Sequence, residues 1–405
     1  MENKKNHIYG IVNNIIVMLS PIIIIPFAIK NVGIDEYGYF VQVNIIYSCL
    51  ISIFTASLSG YFIKSYLEKK LSFHDIFIIQ LFINLFSTAI IGIYILLRFD
   101  VVAPYIFVVA MLTNTLNFEW FFHAIGAQKQ LLIRNLIIKT MFVIIAIFIL
   151  EVYKNIAVYF VIFGLNIIIA NFLLGIYSFT KIKNKEYILF SNGRGGNRLF
   201  CFIKDAKFFF LSPTIGAVYQ YGDQILVSLL FPKTALVFIN LAKQIIGASV
   251  MVSGTLCRVE QKNIFSSEKI ERLTKIKKTL MAYFFYLMTT SILIILIGPL
   301  ILGMLIKETV SLGLNYYILI AGIYVFTSLS IFIDYIIGLT FRTEHYTSIS
   351  NICCATIVTL LNAMFLEKYG ATFSLFSLFI GELLVFILLS TMHYINIKRR
   401  TYYNG

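Results

Sequence analysis

Twelve predominantly apolar stretches of about 20 residues follow one another along the chain, near 8–29, 37–63, 75–97, 104–126, 131–150, 156–180, 208–231, 235–257, 279–306, 315–340, 346–366 and 372–397. An α-helix rises about 1.5 Å per residue, so each stretch can cross a hydrocarbon layer about 30 Å thick. Met141 to Leu150 is apolar on every side, whereas a membrane-spanning strand would alternate with period two. Lipid offers no water to backbone donors and acceptors, which leaves the helix as the solution for such runs. Composition agrees, since 59% of the 405 residues are hydrophobic and 13% charged, with mean hydropathy +0.87. A surface that apolar needs lipid to cover it. The expectation is an all-α polytopic membrane protein of about twelve transmembrane helices. The first run exceeds a signal-peptide core and lacks a small-x-small cleavage site, so it reads as a span.

Charge orients the helices. With the N-terminus in the cytoplasm, inside segments hold 25 of the 33 Lys and Arg and outside segments six, Lys30 among them. The positive-inside rule then predicts that both termini are cytoplasmic. The net charge of +14 is thereby explained by topology and attraction to anionic lipid, and calls for no nucleic acid. The longest break between spans contains Ser191-Asn192-Gly193-Arg194-Gly195-Gly196-Asn197, a linker composition. It predicts an N-terminal lobe of six spans (1–190), a cytoplasmic linker (191–207) and a C-terminal lobe of six spans (208–405) around a central cavity. No convincing residue-level repeat accompanies this division. The basic stretch Arg258 to Lys278 carries Ile270, Leu273 and Ile276 on one possible face and reads as an interfacial segment. The many Tyr and Phe residues read mostly as interfacial belts and lipid-facing packing.

Several kinds of chemistry have no basis in the sequence. Gly193-Arg194-Gly195-Gly196 lacks the Gly-Lys-Ser/Thr of a phosphate-binding loop and follows no strand, so ATP hydrolysis is not indicated. There is no His-Glu-x-x-His, nucleophile elbow or kinase signature, the five histidines are scattered, and the five cysteines lack metal-ligand spacing. The external loops are short, against the larger acidic loop that a membrane polymerase would need. The expectation is a protein that is not an enzyme and uses no metal or cofactor.

Six ionisable residues fall well inside spans: Glu119, Lys139, Asp223, Lys243, Asp334 and Glu382. Each costs about 2.5–3.5 kcal/mol or more at a helix centre, so function is the default reading. Counting along the helices puts Glu119 level with Lys139 on spans 4 and 5, and Asp223 level with Lys243 on spans 7 and 8. An acid and a base at equal depth on consecutive spans is also what a purely structural ion pair looks like. Lys139 and Lys243 lie about 12 Å from the nearer span ends, beyond a snorkelling lysine's reach, so they must face protein or water. Asp334 and Glu382 have no partner at their own depth, which suits reversible protonation. Asn44, Asn114, Asn117, Gln220, Asn240, Gln244 and Asn351 sit on polar faces, which serve either close helix packing or a wet cavity.

Three segments carry a family likeness. Lys30-Asn31-Val32-Gly33-Ile34-Asp35-Glu36-Tyr37-Gly38 joins spans 1 and 2; Glu119-Trp120 through Gly126, then Arg134-Asn135, follows span 4. Tyr219 and Gly222-Asp223-Gln224 precede Ala242-Lys243-Gln244-Ile245 in spans 7 and 8. In these segments the chain resembles the O-antigen unit flippases of the polysaccharide transporter family, within the superfamily that also holds multidrug and toxin extrusion proteins. It departs at His123-Ala124-Ile125, where relatives often have a Gln-containing turn. The resemblance runs over nearly the whole chain. It implies a monomeric flippase of a bacterial inner membrane, moving undecaprenyl-pyrophosphate-linked repeat units of O-antigen or a similar surface polysaccharide from the cytoplasmic to the periplasmic leaflet. It further implies ion-coupled alternating access, with the lipid-linked oligosaccharide as substrate and the polysaccharide polymerase and chain-length regulator of the same pathway as partners. A pyrophosphate needs cations, and Lys139 and Lys243 are the deep ones, with Lys30 and Arg134 flanking the openings. Asp334, Glu382, Glu119 and Asp223 are then the coupling or cavity acids. Two alternatives stand beside it, a multidrug extrusion-type antiporter and a multispanning lipid-sugar polymerase; the deep lysines favour an anionic substrate over a cationic drug.

Overall fold

Ile- and Phe-rich runs have modest intrinsic helix propensity, yet they fold here as helices, because only a helix satisfies every backbone group from within its own segment. The computed structural model describes residues 2–68, 70–183, 198–265, 269–305, 313–338 and 345–403, and the 191–197 part of the expected linker lies outside them. Among the described residues no strand occurs.

The chain begins with α1 (Glu2–Val32), and α2 (Ile34–Ile51) passes through a π-helical turn, Ser52–Ala56, into α3 (Ser57–Leu67). Next come α4 (Phe73–Arg98), α5 (Ile106–Thr113) and α6 (Glu119–Ala124), then α7 (Gln128–Tyr153) and α8 (Ile156–Lys183). After the undescribed segment follow α9 (Arg198–Leu230), α10 (Lys233–Phe265), α11 (Lys269–Leu305) and α12 (Leu314–Phe332), which ends in a second π-helical turn, Ile333–Gly338. The last two are α13 (His345–Tyr369) and α14 (Phe373–Tyr403). Among the described residues ten helical segments are long and apolar enough to cross a membrane. Residues 198–207, expected as linker, form the first turns of α9.

Local chemistry fixes the turns. Gly33 alone separates α1 from α2 at φ 92°, a left-handed conformation that a side chain resists. Ser72 caps α4 in a reciprocal box: its Oγ accepts from the Asp75 N–H at 3.1 Å, and its own N–H donates to the Asp75 carboxylate at 2.9 Å.

Span 4 differs from the continuous helix expected over 104–126. It is α5, a 3-10 turn over Asn114–Leu116, an extended residue at Asn117 (ψ 90°), and then α6. Such a break in an apolar span is tolerated only where protein meets the freed backbone groups. Gln80 of α4 does so, its Nε2 donating to the Asn117 carbonyl at 3.0 Å.

By internal contact the chain divides into two compact units, Met1–Tyr221 and Gly222–Gly405, the divide falling within α9 because that helix continues beyond the expected linker. Within the first unit α4 packs on α5, α5 on α8, α7 on α8, and α2 on both α4 and α5. Within the second, α11 packs on α12, α12 on α14, α13 on α14, and α10 on both α11 and α12. Counting each broken span as one, both units repeat a single packing order: third on fourth, fourth on sixth, fifth on sixth, and second on third and fourth. The repeat that is invisible in the residues is present in the packing. The aromatics also depart from expectation, since many are interior: Phe62, Phe73, Trp120 and Phe121 form a buried cluster in the first unit, and Phe40, Phe107 and Tyr159 another.

Candidate functional site

In the first unit the broken span places its amides in a network. Asn114, 2% exposed, donates from Nδ2 to Thr55 Oγ1 at 2.9 Å and to Asn84 Oδ1 at 3.2 Å. Asn117 Nδ2 donates to Asn114 Oδ1 at 3.2 Å, and Trp120 Nε1 donates to Gln80 Oε1 at 3.1 Å. The π-helical turn Ser52–Ala56 carries Thr55 into this cluster, as such bulges re-aim side chains. Asn114 and Asn117 therefore hold three spans together. Gln80 and Asn84 escaped the sequence reading, although they lie one helical turn apart within an apolar run.

Beyond this network the charged groups gather on α7. Glu119 opens α6, and its carboxylate takes the Arg134 guanidinium at 2.6 Å rather than pairing with Lys139. The chain break restarts the helix at Glu119, yet Glu119 and Lys139 remain electrostatic neighbours. Arg134 also donates to Asn135 Oδ1 at 2.8 Å, and Asn135 donates to Asn13 of α1 at 2.7 Å. Lys139 lies one turn beyond Asn135, about 6 Å further along α7. It is half-buried, its ammonium 5.9 Å from the Phe142 ring centre, and among the described residues no carboxylate lies within ion-pair distance of it. Lys30 is exposed in the last turn of α1, about 26 Å along that helix from Asn13.

In the second unit the deep lysine is paired. Lys243 Nζ lies 2.5 Å from Asp223 Oδ1, with side-chain exposures of 11% and 1%. Asp223 also accepts from Ser374 Oγ of α14 at 2.7 Å and from the Gln224 N–H at 2.8 Å. Beside them Gln244 donates to Asn240 Oδ1 at 2.8 Å, and Asn240 donates to Gln224 Oε1 at 3.1 Å. The Ser374 bond had no signal in the sequence.

The two acids expected to stand alone have neighbours. Asp334 lies in the π-helical turn of α12 and accepts from the Thr347 hydroxyl of α13. Buried His393 of α14 faces the same space: a Cβ placed on Gly338 would lie 3.5 Å from Asp334 Oδ1 and 3.8 Å from His393 Cε1. Glu382 of α14 is 9% exposed and has Cys354 as an electrostatic neighbour. Asn44 and Asn351 are half-buried and Gln220 is exposed.

This helical architecture is shared with solved transporters and flippases. The chain superimposes on the lipid II flippase MurJ in an inward closed conformation with TM-score 0.61 and 14% identity, covering 96% of this chain and 85% of that one. It is similar to the eukaryotic MATE transporter AtDTX14, with TM-score 0.59, 13% identity and coverage of 96% and 95%. An inward-facing multidrug resistance MATE family transporter of the MOP superfamily gives TM-score 0.59 at 11% identity, with coverage of 97% and 96%. No protein-family model matches the sequence, and no curated protein does. At these identities the likeness establishes the fold, a multi-pass membrane architecture held in common by MATE transporters and MurJ.

Proposed function

We propose that the chain is a flippase for undecaprenyl-pyrophosphate-linked oligosaccharide, carrying O-antigen or similar polysaccharide repeat units from the cytoplasmic to the periplasmic leaflet of a bacterial inner membrane. The observation that carries this reading is Lys139, a deep ammonium without a carboxylate partner among the described residues. Glu119 is an electrostatic neighbour of Lys139, but its carboxylate is bonded to Arg134, so a further anion that visits Lys139 is stabilised there. A pyrophosphate is such an anion, and Arg134, about 7.5 Å earlier along α7, carries a second, fork-shaped donor set that Glu119 and Asn135 hold in this structure. The fold shared with MurJ, a lipid II flippase, supports the same class of cargo.

Each sugar hydroxyl stripped of water costs several kcal/mol, so a polar groove must replace water while the polyprenyl tail stays in lipid. Outward movement of an anion is favoured by about 2.3 kcal/mol per charge per 100 mV, inside negative. Asp334, bonded to Thr347 and near His393, and Glu382 are the groups for proton exchange in such a cycle. A second reading, a proton-coupled exporter of organic cations, draws on those same acids and on the shared MATE fold.

Both termini are cytoplasmic in this reading, so a cysteine at position 100 is labelled by an impermeant reagent from outside and one at position 194 is not. The functional test is deletion in the producing strain, followed by analysis of the lipid-linked glycan. The flippase reading expects single repeat units to accumulate on the carrier in the inner leaflet. Unchanged surface glycan together with raised sensitivity to cationic dyes selects the exporter instead.

A further inference from the structure

The basic stretch 258–278 has no role in the function proposed above. It carries seven Lys and Arg against three Glu, and its described residues form the end of α10 and the start of α11. Between these helix ends lies a cleft of about 480 Å³, within the size range of small-molecule sites. Exposed Lys275 and Lys278 line it at the start of α11, with Glu260 of α10 also on its wall. Tyr283, Tyr286 and, from α12, Phe332 line it further along. From Lys275 to Tyr286 is about 16 Å along the helix axis. The stretches of α10 and α11 that are long and apolar enough to cross a membrane end at Cys257 and begin at Thr274, so the charged end of the cleft lies at the edge of the apolar stretches and its aromatic end within them.

The wall chemistry follows that depth. Tyr283 and Phe332 are buried with ring centroids 5.1 Å apart, and the Tyr283 hydroxyl is spent on the Ser328 carbonyl at 3.1 Å. The deep end therefore presents ring faces, which hydrocarbon covers better than water. At the rim Lys275 pairs with Glu271 at 3.3 Å, but both side chains are about half exposed, and a pair of that kind contributes little. A phosphate can replace it.

We propose that this cleft binds a glycerophospholipid with an anionic headgroup, its phosphate between Lys275 and Lys278 and one acyl chain along Tyr283, Tyr286 and Phe332. The basic excess of the stretch selects a net negative lipid over a zwitterionic one. The carboxylate of Glu260 accepts from a headgroup hydroxyl.

The test melts the purified full-length protein in neutral detergent with increasing phosphatidylglycerol or phosphatidylcholine. Phosphatidylglycerol should raise the unfolding temperature at concentrations where phosphatidylcholine does not. Lys278→Gln should weaken that response about fivefold, the worth of one lysine near an anionic headgroup. Lys277→Gln removes the same charge from an exposed neighbour outside the cleft and should behave as the unmodified protein. Ala282→Trp, or Thr279→Phe if the first does not fold, fills the cleft without touching a charge and should abolish the response. Equal response to the two lipids, equal losses in Lys277→Gln and Lys278→Gln, or a full response in a folded filling variant would each overturn the site. The readout is binding, so such a failure leaves the flippase reading standing.

Discussion

Replacing Lys243 by methionine keeps the stem and removes the charge, leaving Asp223 at 1% side-chain exposure with one hydroxyl and one N–H. At 2.5 Å the two charges attract by about 7 kcal/mol at an effective dielectric of 20, before the cost of desolvating either is set against it. Breaking a buried pair from one side costs about 3–5 kcal/mol, because the remaining charge is uncompensated. Removing both partners costs far less, since no orphan charge remains. Lys243→Met and Asp223→Asn should therefore each lower the unfolding temperature and the monodisperse yield in detergent sharply. The double variant should recover most of the loss. A double variant whose loss equals the sum of the singles within about 0.5 kcal/mol would refute the coupling. If the pair is structural, the folded double variant also keeps transport, which separates Lys243 from Lys139.

Gln80→Leu orphans both the Trp120 indole N–H and the Asn117 carbonyl, at about 1–3 kcal/mol each, and should destabilise the first unit; an unchanged melt would show that the break in span 4 is supported otherwise. Asn166 of α8 is 5% exposed, and neither polar atom of its side chain has a partner among the described residues. Asn166→Leu should leave the unfolding temperature unchanged or raise it, and a loss of stability or transport would show that the amide has a task.

Much of the fold was legible because lipid is a simple solvent: a run of apolar residues long enough to cross it must be a helix. The break in span 4 was not legible. Asn114 and Asn117 look like lining residues, and what makes them a supported break is Gln80 and Asn84 on a neighbouring helix, with no local signal for the meeting. The packing repeat was hidden for a related reason, since many apolar side chains suit a lipid-facing position and residues drift while the packing order persists. Depth arithmetic found Asp223 and Lys243 because α9 and α10 are continuous helices joined by a short turn. It set Glu119 beside Lys139, and the two are electrostatic neighbours, but it missed that the break lets Arg134 take the Glu119 carboxylate.

The central claim is that a deep lysine, with no carboxylate within ion-pair distance among the described residues, receives the pyrophosphate of a lipid-linked glycan. Its most direct test is a flipping assay in proteoliposomes loaded with undecaprenyl-pyrophosphate oligosaccharide, comparing the unmodified protein with Lys139→Arg and Lys139→Met. The account predicts protein-dependent appearance of glycan in the opposite leaflet, partly kept by arginine and lost with methionine in vesicles holding equal folded protein. Full flipping by Lys139→Met would contradict it, as would cationic dye exchange with no movement of the lipid-linked glycan.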